Sequence, residues 1–342
     1  MSLLGKNIDI VYLWVDGQDE KWKASKEHWS RELNVLNQST HACRFRDNEE
    51  LRYSLRSLYL NAPWIRNIFI VTNGQIPKWL DTSNPKIRIV NHSEIMPGSA
   101  LPTFNSSAIE ASIFRIPDLS DLFLLANDDT FFGKLVSKDY FFCPGDDLPI
   151  LRQVHRNWSK EMMSSVTYCS NVEYAADLIS SKFNKKYCYE SHHNIDAYSR
   201  REFEKAYSLF PELTVRTIES KFRKKQDLQR SLVNFYMLAT NKCHLQLIGE
   251  SVGKMHGSYV LGISGLFKME MKLLLSRSIL FCLNDNENTK QSHLENIKVF
   301  LESVFPTRAP WEKDVPKFSF IEKVKIFLGK GLFTFYTLTK EK

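Results

Sequence analysis

Residues 122–129 read Leu-Phe-Leu-Leu-Ala-Asn-Asp-Asp, an apolar, β-prone run that stops abruptly on three polar residues. An unbroken apolar run of this length suits a strand buried on both faces. Working outward, the same signature recurs. Residues 9–15 (DIVYLWV) halt at Asp16-Gly17, residues 68–72 (IFIVT) at Asn73-Gly74, and residues 87–90 (IRIV) at Asn91 and His92. Between the runs, Asp47-Asn48 offers a cap for a helix to about Leu60, with Leu51, Leu55 and Leu58 on one stripe and Arg52 and Arg56 on another face. Ile109, Ile113 and Ile116 keep helical spacing in residues 105–116. Strands interleaved with helices predict an α/β fold with a mostly parallel, Rossmann-like sheet, because parallel neighbours need long crossovers. Asp16, Asn73, His92 and the Asn127-Asp128-Asp129 run all follow strand carboxyl ends. In open α/β sheets ligands bind at that edge, although turn chemistry alone also places Asn and Asp there.

The texture changes after residue 149. Segments 201–209 and 227–240 favour helix, and the basic run 221–225 (KFRKK) is read as heading the second of them. Residues 278–283 form a last strand-like piece, ending in Asn284-Asp285-Asn286. The expected organisation is an α/β core over 1–150, a mainly helical lobe over 151–275, a return to the core over 276–316, and a basic amphipathic tail over 317–342. In that tail Phe320, Ile321, Val324, Phe327 and Leu328 fall at helical spacing among Lys317, Lys323, Lys325 and Lys330. The pattern fits a helix lying on an anionic membrane, and equally one packed on the protein's own body.

The chain has 342 residues, 43% hydrophobic, 13% aromatic and 25% charged, which is globular composition and argues against disorder. Its formal charge of +7 favours an anionic partner such as a phosphorylated substrate, a nucleotide or a membrane surface. No nucleic-acid-binding signature is present, so nucleic acid is not expected as a partner. The six cysteines are scattered without a C-x-x-C pair, the pattern of reduced thiols, and residues 1–7 are too short and polar for a signal peptide. A cytoplasmic enzyme, peripheral on the inner face of the cell membrane if its tail binds there, is the expectation.

Four blocks in order carry a resemblance: DIVYLWVDG at 9–17; a long block from RFRDNEELRYSLRSL at Arg44, through APWIRNIFIVTNGQIPKWL and LPTFNSSAIE, to LFLLANDDTFFG ending at Gly133; SHHNID at 191–196 through KFRKKQDLQ at 221–229; and FCLNDN at 281–286. In these blocks the sequence resembles the Stealth family, which holds bacterial capsular and cell-wall polysaccharide phosphotransferases and the catalytic subunit of the animal N-acetylglucosamine-1-phosphotransferase. The third block departs from the family in one respect: Ile195 stands two residues after His193, where a proline is frequent. The resemblance implies a GT-A-like nucleotide-sugar-binding core. It also implies transfer of a hexose-1-phosphate, commonly N-acetylglucosamine-1-phosphate, from a UDP-sugar to a glycan or lipid-linked oligosaccharide hydroxyl. UMP leaves, and a phosphodiester forms in a capsular or cell-surface polysaccharide. The rival expectation is a GT-A-type glycosyltransferase, which attacks the anomeric carbon and releases UDP.

The residues have the chemistry for such a site. Asp128 and Asp129 supply hard oxygen ligands for Mg²⁺ or Mn²⁺, which would neutralise a diphosphate, and Asp285 has the same character. The resemblance carries catalytic roles onto Glu110, Asp129, His193 and Arg223. Glu110, within Ala-Ile-Glu at 108–110, has the chemistry to orient the acceptor hydroxyl, accept its proton or hold a metal-bound water. His193 is the expected base, with His192 beside it as rival, because an unperturbed imidazole titrates near pH 6.5. Arg223 brings a two-pronged donor suited to phosphate. Asp16, Arg52 and Asn73 complete the expected site as nucleotide or phosphate contacts.

Overall fold

The structure is a computed structural model that describes residues 5–35, 38–248, 256–260, 278–285 and 288–338. Four of the apolar runs become β1 (Ile8–Leu13), β2 (Ile68–Thr72), β3 (Ile87–Asn91) and β4 (Leu122–Asn127). They lie parallel in the order β3-β2-β1-β4, and β8 (Asp196–Ser199) closes the sheet antiparallel to β4. The fold is therefore α/β with a mostly parallel central sheet. Five of the six residues of both β1 and β4 are buried, because each of these central strands is covered on both faces. Alternation along the strands sorts the side chains into two cores. Val11, Phe69 and Leu125 face one cluster, with Phe203, Leu232 and Val233; Ile10, Ile70 and Leu124 face the other, with Leu51, Leu55 and Leu58.

The region after residue 149 is less purely helical than its sequence suggested. Helices Thr167–Phe183, Arg200–Ser208, Pro211–Ile218 and Ser231–Ala239 are joined by a small sheet in which β6 (Ile150–His155) lies between β7 (Tyr189–Ser191) and β9 (His244–Leu247). β8 comes from this same region, so the second lobe contributes a strand to the central sheet. One apolar cluster then runs from Val11 to Met237 without a break between lobes.

The last strand reaches the ligand edge by a different route from a simple return to the central sheet. β11 (Leu280–Asn284) pairs antiparallel with β5 (Thr130–Phe132), which folds back immediately after β4, and parallel with β10 (His256–Val260). This second sheet sets Asp129 and Asp285 close together. The following segment covers the helix Glu50–Asn61, whose residues from Glu50 to Leu58 are all buried. Arg56, fully buried, donates to both carboxylate oxygens of Glu312 at 2.8 and 2.9 Å and to the Phe305 carbonyl at 2.8 Å. A buried guanidinium is tolerated there because its donors are matched by a carboxylate and a carbonyl.

Candidate active site

A cleft of about 770 Å³ opens at the carboxyl ends of β1 and β4. Its acidic wall begins where β4 gives way to the turn at Asn127-Asp128-Asp129. The Asp129 carboxyl is raised to about 6, chiefly by burial, although the Cys282 thiol hydrogen-bonds to it and opposes the shift. Asp128 is pushed up as well, by burial first and then by Asp129, Glu50 and Asp47. Burial also lifts Asp47 to about 6 and Glu50 to about 8, with help from neighbouring carboxylates. Asp285, at the end of β11, accepts from Arg46 Nη1 at 2.7 Å through one oxygen. Its other oxygen, and Asp129 Oδ1, are buried without a hydrogen-bond partner among the described residues.

Carboxylates that repel one another while keeping oxygens unsatisfied are the donor set of a hard divalent cation, which would relieve both costs at once. The Asp129 carboxylate, a His193 ring nitrogen and the Cys282 sulfur also lie within 4.8 Å of one another. The unpartnered oxygens of Asp129 and Asp285 suit the expected Mg²⁺ or Mn²⁺ by their chemistry, whereas the His193 nitrogen and the Cys282 sulfur do not.

The basic groups of the cleft adjoin the acidic wall. Arg230 connects them. Its backbone N–H donates to Glu110 Oε2 at 3.1 Å, its Nε lies 3.5 Å from Glu110 Oε1, its Nη2 donates to Asn127 Oδ1 at 3.1 Å, and its Nη1 is 3.9 Å from Asp196. Nη1 is buried and has no hydrogen-bond partner among the described residues. Arg223 donates to Ser106 Oγ, and burial followed by repulsion from Arg44 lowers its guanidinium to about 10, still charged at neutral pH. His193 is depressed to about 4, by burial first and then by the charges of Arg230, His192 and Arg223, so its imidazole is neutral at pH 7.

Local chain geometry explains these placements. Asn105 caps the short helix Ser106–Glu110 by accepting from Ser107 N–H, while its side-chain amide donates to Asp227. That bond ties the helix carrying Glu110 to the loop carrying Arg223. The basic run 221–225 does not head a helix, as its sequence suggested, since the helix begins only at Ser231. Asp227 accepts from Lys224 N–H, Gln226 takes a positive φ of 66°, and the chain turns instead of coiling. Arg223 therefore sits on a loop, without a helix dipole behind it. Gly17 has a different task. A Cβ there would meet the Phe45 carbonyl oxygen at 1.8 Å, so only glycine allows the Ala42–Phe45 turn to bring Arg44 and Arg46 to the cleft.

Of the residues singled out from sequence, Glu110, Asp128, Asp129, His193, Arg223 and Asp285 line this one cleft; Asp16, Arg52 and Asn73 do not. Arg52 is only 2% exposed, pairs with Glu49, Glu312 and Asp314, and stacks over Trp79. Its guanidinium is held between Glu49 and the segment that returns over the helix, which no reading of residues 47–60 alone would reveal. Asp16 closes its own turn by accepting from Gln18 N–H, and Asn73 stands exposed in the turn before Gly74. Sequence reasoning missed Arg230, Asp196, Arg44, Arg46 and Glu50. Arg230 had one usable signal: it is the charged residue directly ahead of the uncharged helical run Ser231–Ala239.

Comparison with known proteins agrees with the motif reading. The chain matches Stealth protein conserved region 1 over residues 6–33, conserved region 2 over residues 44–148 and conserved region 4 over residues 271–319. It is 34% identical over 316 residues to a capsular polysaccharide phosphotransferase of Haemophilus influenzae, covering 87% of this chain and 84% of that protein. It is 35% identical over 318 residues to an exopolysaccharide phosphotransferase of Streptomyces coelicolor, covering 90% of this chain but 57% of that longer protein. Among solved structures, the galactosyltransferase LgtC aligns with 93% of this chain and 99% of its own, at 9% identity and a TM-score of 0.42.

Proposed function

This chain belongs to the Stealth family, and from that membership we propose that it transfers a hexose-1-phosphate from a UDP-sugar to a glycan hydroxyl, releasing UMP. The observation that carries the reading is the gathering, in one cleft, of carboxylates that keep unsatisfied oxygens and half-buried guanidinium groups, with a neutral imidazole beside them. A divalent cation held by Asp128, Asp129 and Asp285 would offset the negative charge of the diphosphate. Arg223 binds the phosphoryl oxygens, and Nη1 of Arg230, with no hydrogen bond and only a 3.9 Å contact to Asp196, lines the same cleft. Glu110 is held by Arg230, so it positions that arginine and the acceptor and is not the free base. His193, kept neutral, has a lone pair for the proton of the attacking hydroxyl. The acceptor oxygen bonds to the sugar-side phosphorus as the bridging P–O bond breaks. Its electron pair leaves on UMP, and the sugar-1-phosphate moves intact.

The nucleotide product tests this directly. With UDP-N-acetylglucosamine as first donor, a panel of other UDP-sugars, and capsular or lipid-linked glycan fragments as acceptors, the expected products are UMP and a phosphodiester-linked sugar in equal amounts. Release of UDP would mean attack at the anomeric carbon and would end the proposal. Arg223→Lys is expected to lower kcat by about 10²-fold or more, because a point charge does not replace a fork of donors on a phosphoryl group. Near-normal kinetics for that variant would remove Arg223 from the phosphate site.

A further inference from the structure

The helix Phe320–Leu338 lies outside the cleft and turns an apolar stripe away from the protein. Phe320, Ile321, Val324, Phe327 and Leu328 are 81%, 67%, 43%, 76% and 60% exposed. They make up five of the fifteen exposed large apolar side chains among the described residues, gathered within nine consecutive positions. Ile326 is buried and marks the face that packs inward. Sequence alone left open whether the apolar stripe covers the body of the protein. Its exposure shows that it does not.

At about 100° per residue, these five side chains span an arc of roughly 120°. On the same wheel Lys323 borders the arc on one side and Lys325 on the other, while the acid Glu322 falls on the opposite face. Glu322 is occupied there, accepting from the Ser319 N–H at 2.7 Å. An apolar stripe with cations on both borders and no acid in it is complementary to one surface, an anionic bilayer. Phenylalanine, leucine and isoleucine enter the acyl boundary, and the lysine stems lie along it with their ammonium groups at the phosphates. No helix among the described residues is long and apolar enough to cross a membrane, so the helix would lie in the interface plane.

We propose that this helix docks the enzyme on an anionic lipid surface through Phe320, Ile321, Val324, Phe327 and Leu328, with Lys323 and Lys325 meeting the headgroup phosphates. The proposal does not depend on which reaction the cleft performs. Co-sedimentation of the full chain with vesicles of phosphatidylcholine, alone or with one-third phosphatidylglycerol, tests it. Binding is expected to the anionic vesicles, weakening with salt. The triple variant Phe320→Ser, Phe327→Ser, Leu328→Ser is expected to lose roughly tenfold in affinity per side chain. Lys323→Gln and Lys325→Gln are expected to cost roughly fivefold each on anionic vesicles only. All five side chains face solvent, so thermal unfolding of the variants is expected to match the parent. Absence of binding to either vesicle, equal binding by parent and triple variant, or a dimer of the parent that the triple variant disperses without any vesicle binding would each overturn the proposal.

Discussion

Asp129→Asn is expected to lower turnover by about 10²–10³-fold while leaving the protein folded and no less heat-stable. The substitution keeps the size of the side chain and removes one charge from a wall where Asp128 and Asp285 also repel it. Relief of that repulsion favours the folded apoprotein, so a loss of rate cannot be assigned to unfolding. The second readout is the cation. Mg²⁺ or Mn²⁺ at a hundred times its dissociation constant stabilises a protein that binds it only when folded by about 2.7 kcal/mol. The parent is therefore expected to show a metal-dependent rise in Tm and complete loss of transfer in excess EDTA, whereas Asp129→Asn loses most of the rise. An active, well-folded Asp129→Asn variant, or full turnover in EDTA, would remove Asp129 from the chemistry.

The central sheet was legible because buried parallel strands need uninterrupted apolar runs, and each run here ends on a polar turn. Residues fixed by that edge, Asp128 and Asp129, were legible for the same reason. Glu110, His193 and Arg223 became legible only through the family resemblance, since a lone glutamate, histidine or arginine has no spacing that distinguishes it from a surface group. What stayed hidden depends on contacts between distant segments. Arg52 shows the limit: its helical position was read correctly, but Asp314 and Glu312 claim it from more than two hundred residues away. Arg223 shows another, because the Asp227–Asn105 bond that holds its loop open cannot be seen in the local pattern of residues 221–240. Arg230 joins Glu110, Asn127 and Asp196, three groups brought together only by folding.

His193→Ala is expected to reduce transfer by about 10²–10⁴-fold, the range for loss of a positioned general base, whereas His192→Ala retains most activity. The two imidazoles are adjacent in sequence and both line the cleft, so chain position alone does not separate them. Geometry does. Only His193 has a ring nitrogen clustered with the Asp129 carboxylate and Cys282 sulfur, where the reacting phosphoryl group would meet the acidic wall. His192 has its Nδ1 3.4 Å from the Asn194 side-chain nitrogen. Burial and two neighbouring cations, Arg230 and Arg223, oppose protonation of His193, and a bound diphosphate would offset the cations just when the proton has to be accepted. The alanine variant leaves a space the size of the lost ring, so added imidazole is expected to restore part of the rate without altering the UMP product. If His192→Ala is the inactive variant and His193→Ala turns over normally, the base is His192, and the alignment of this segment with its family is displaced by one residue.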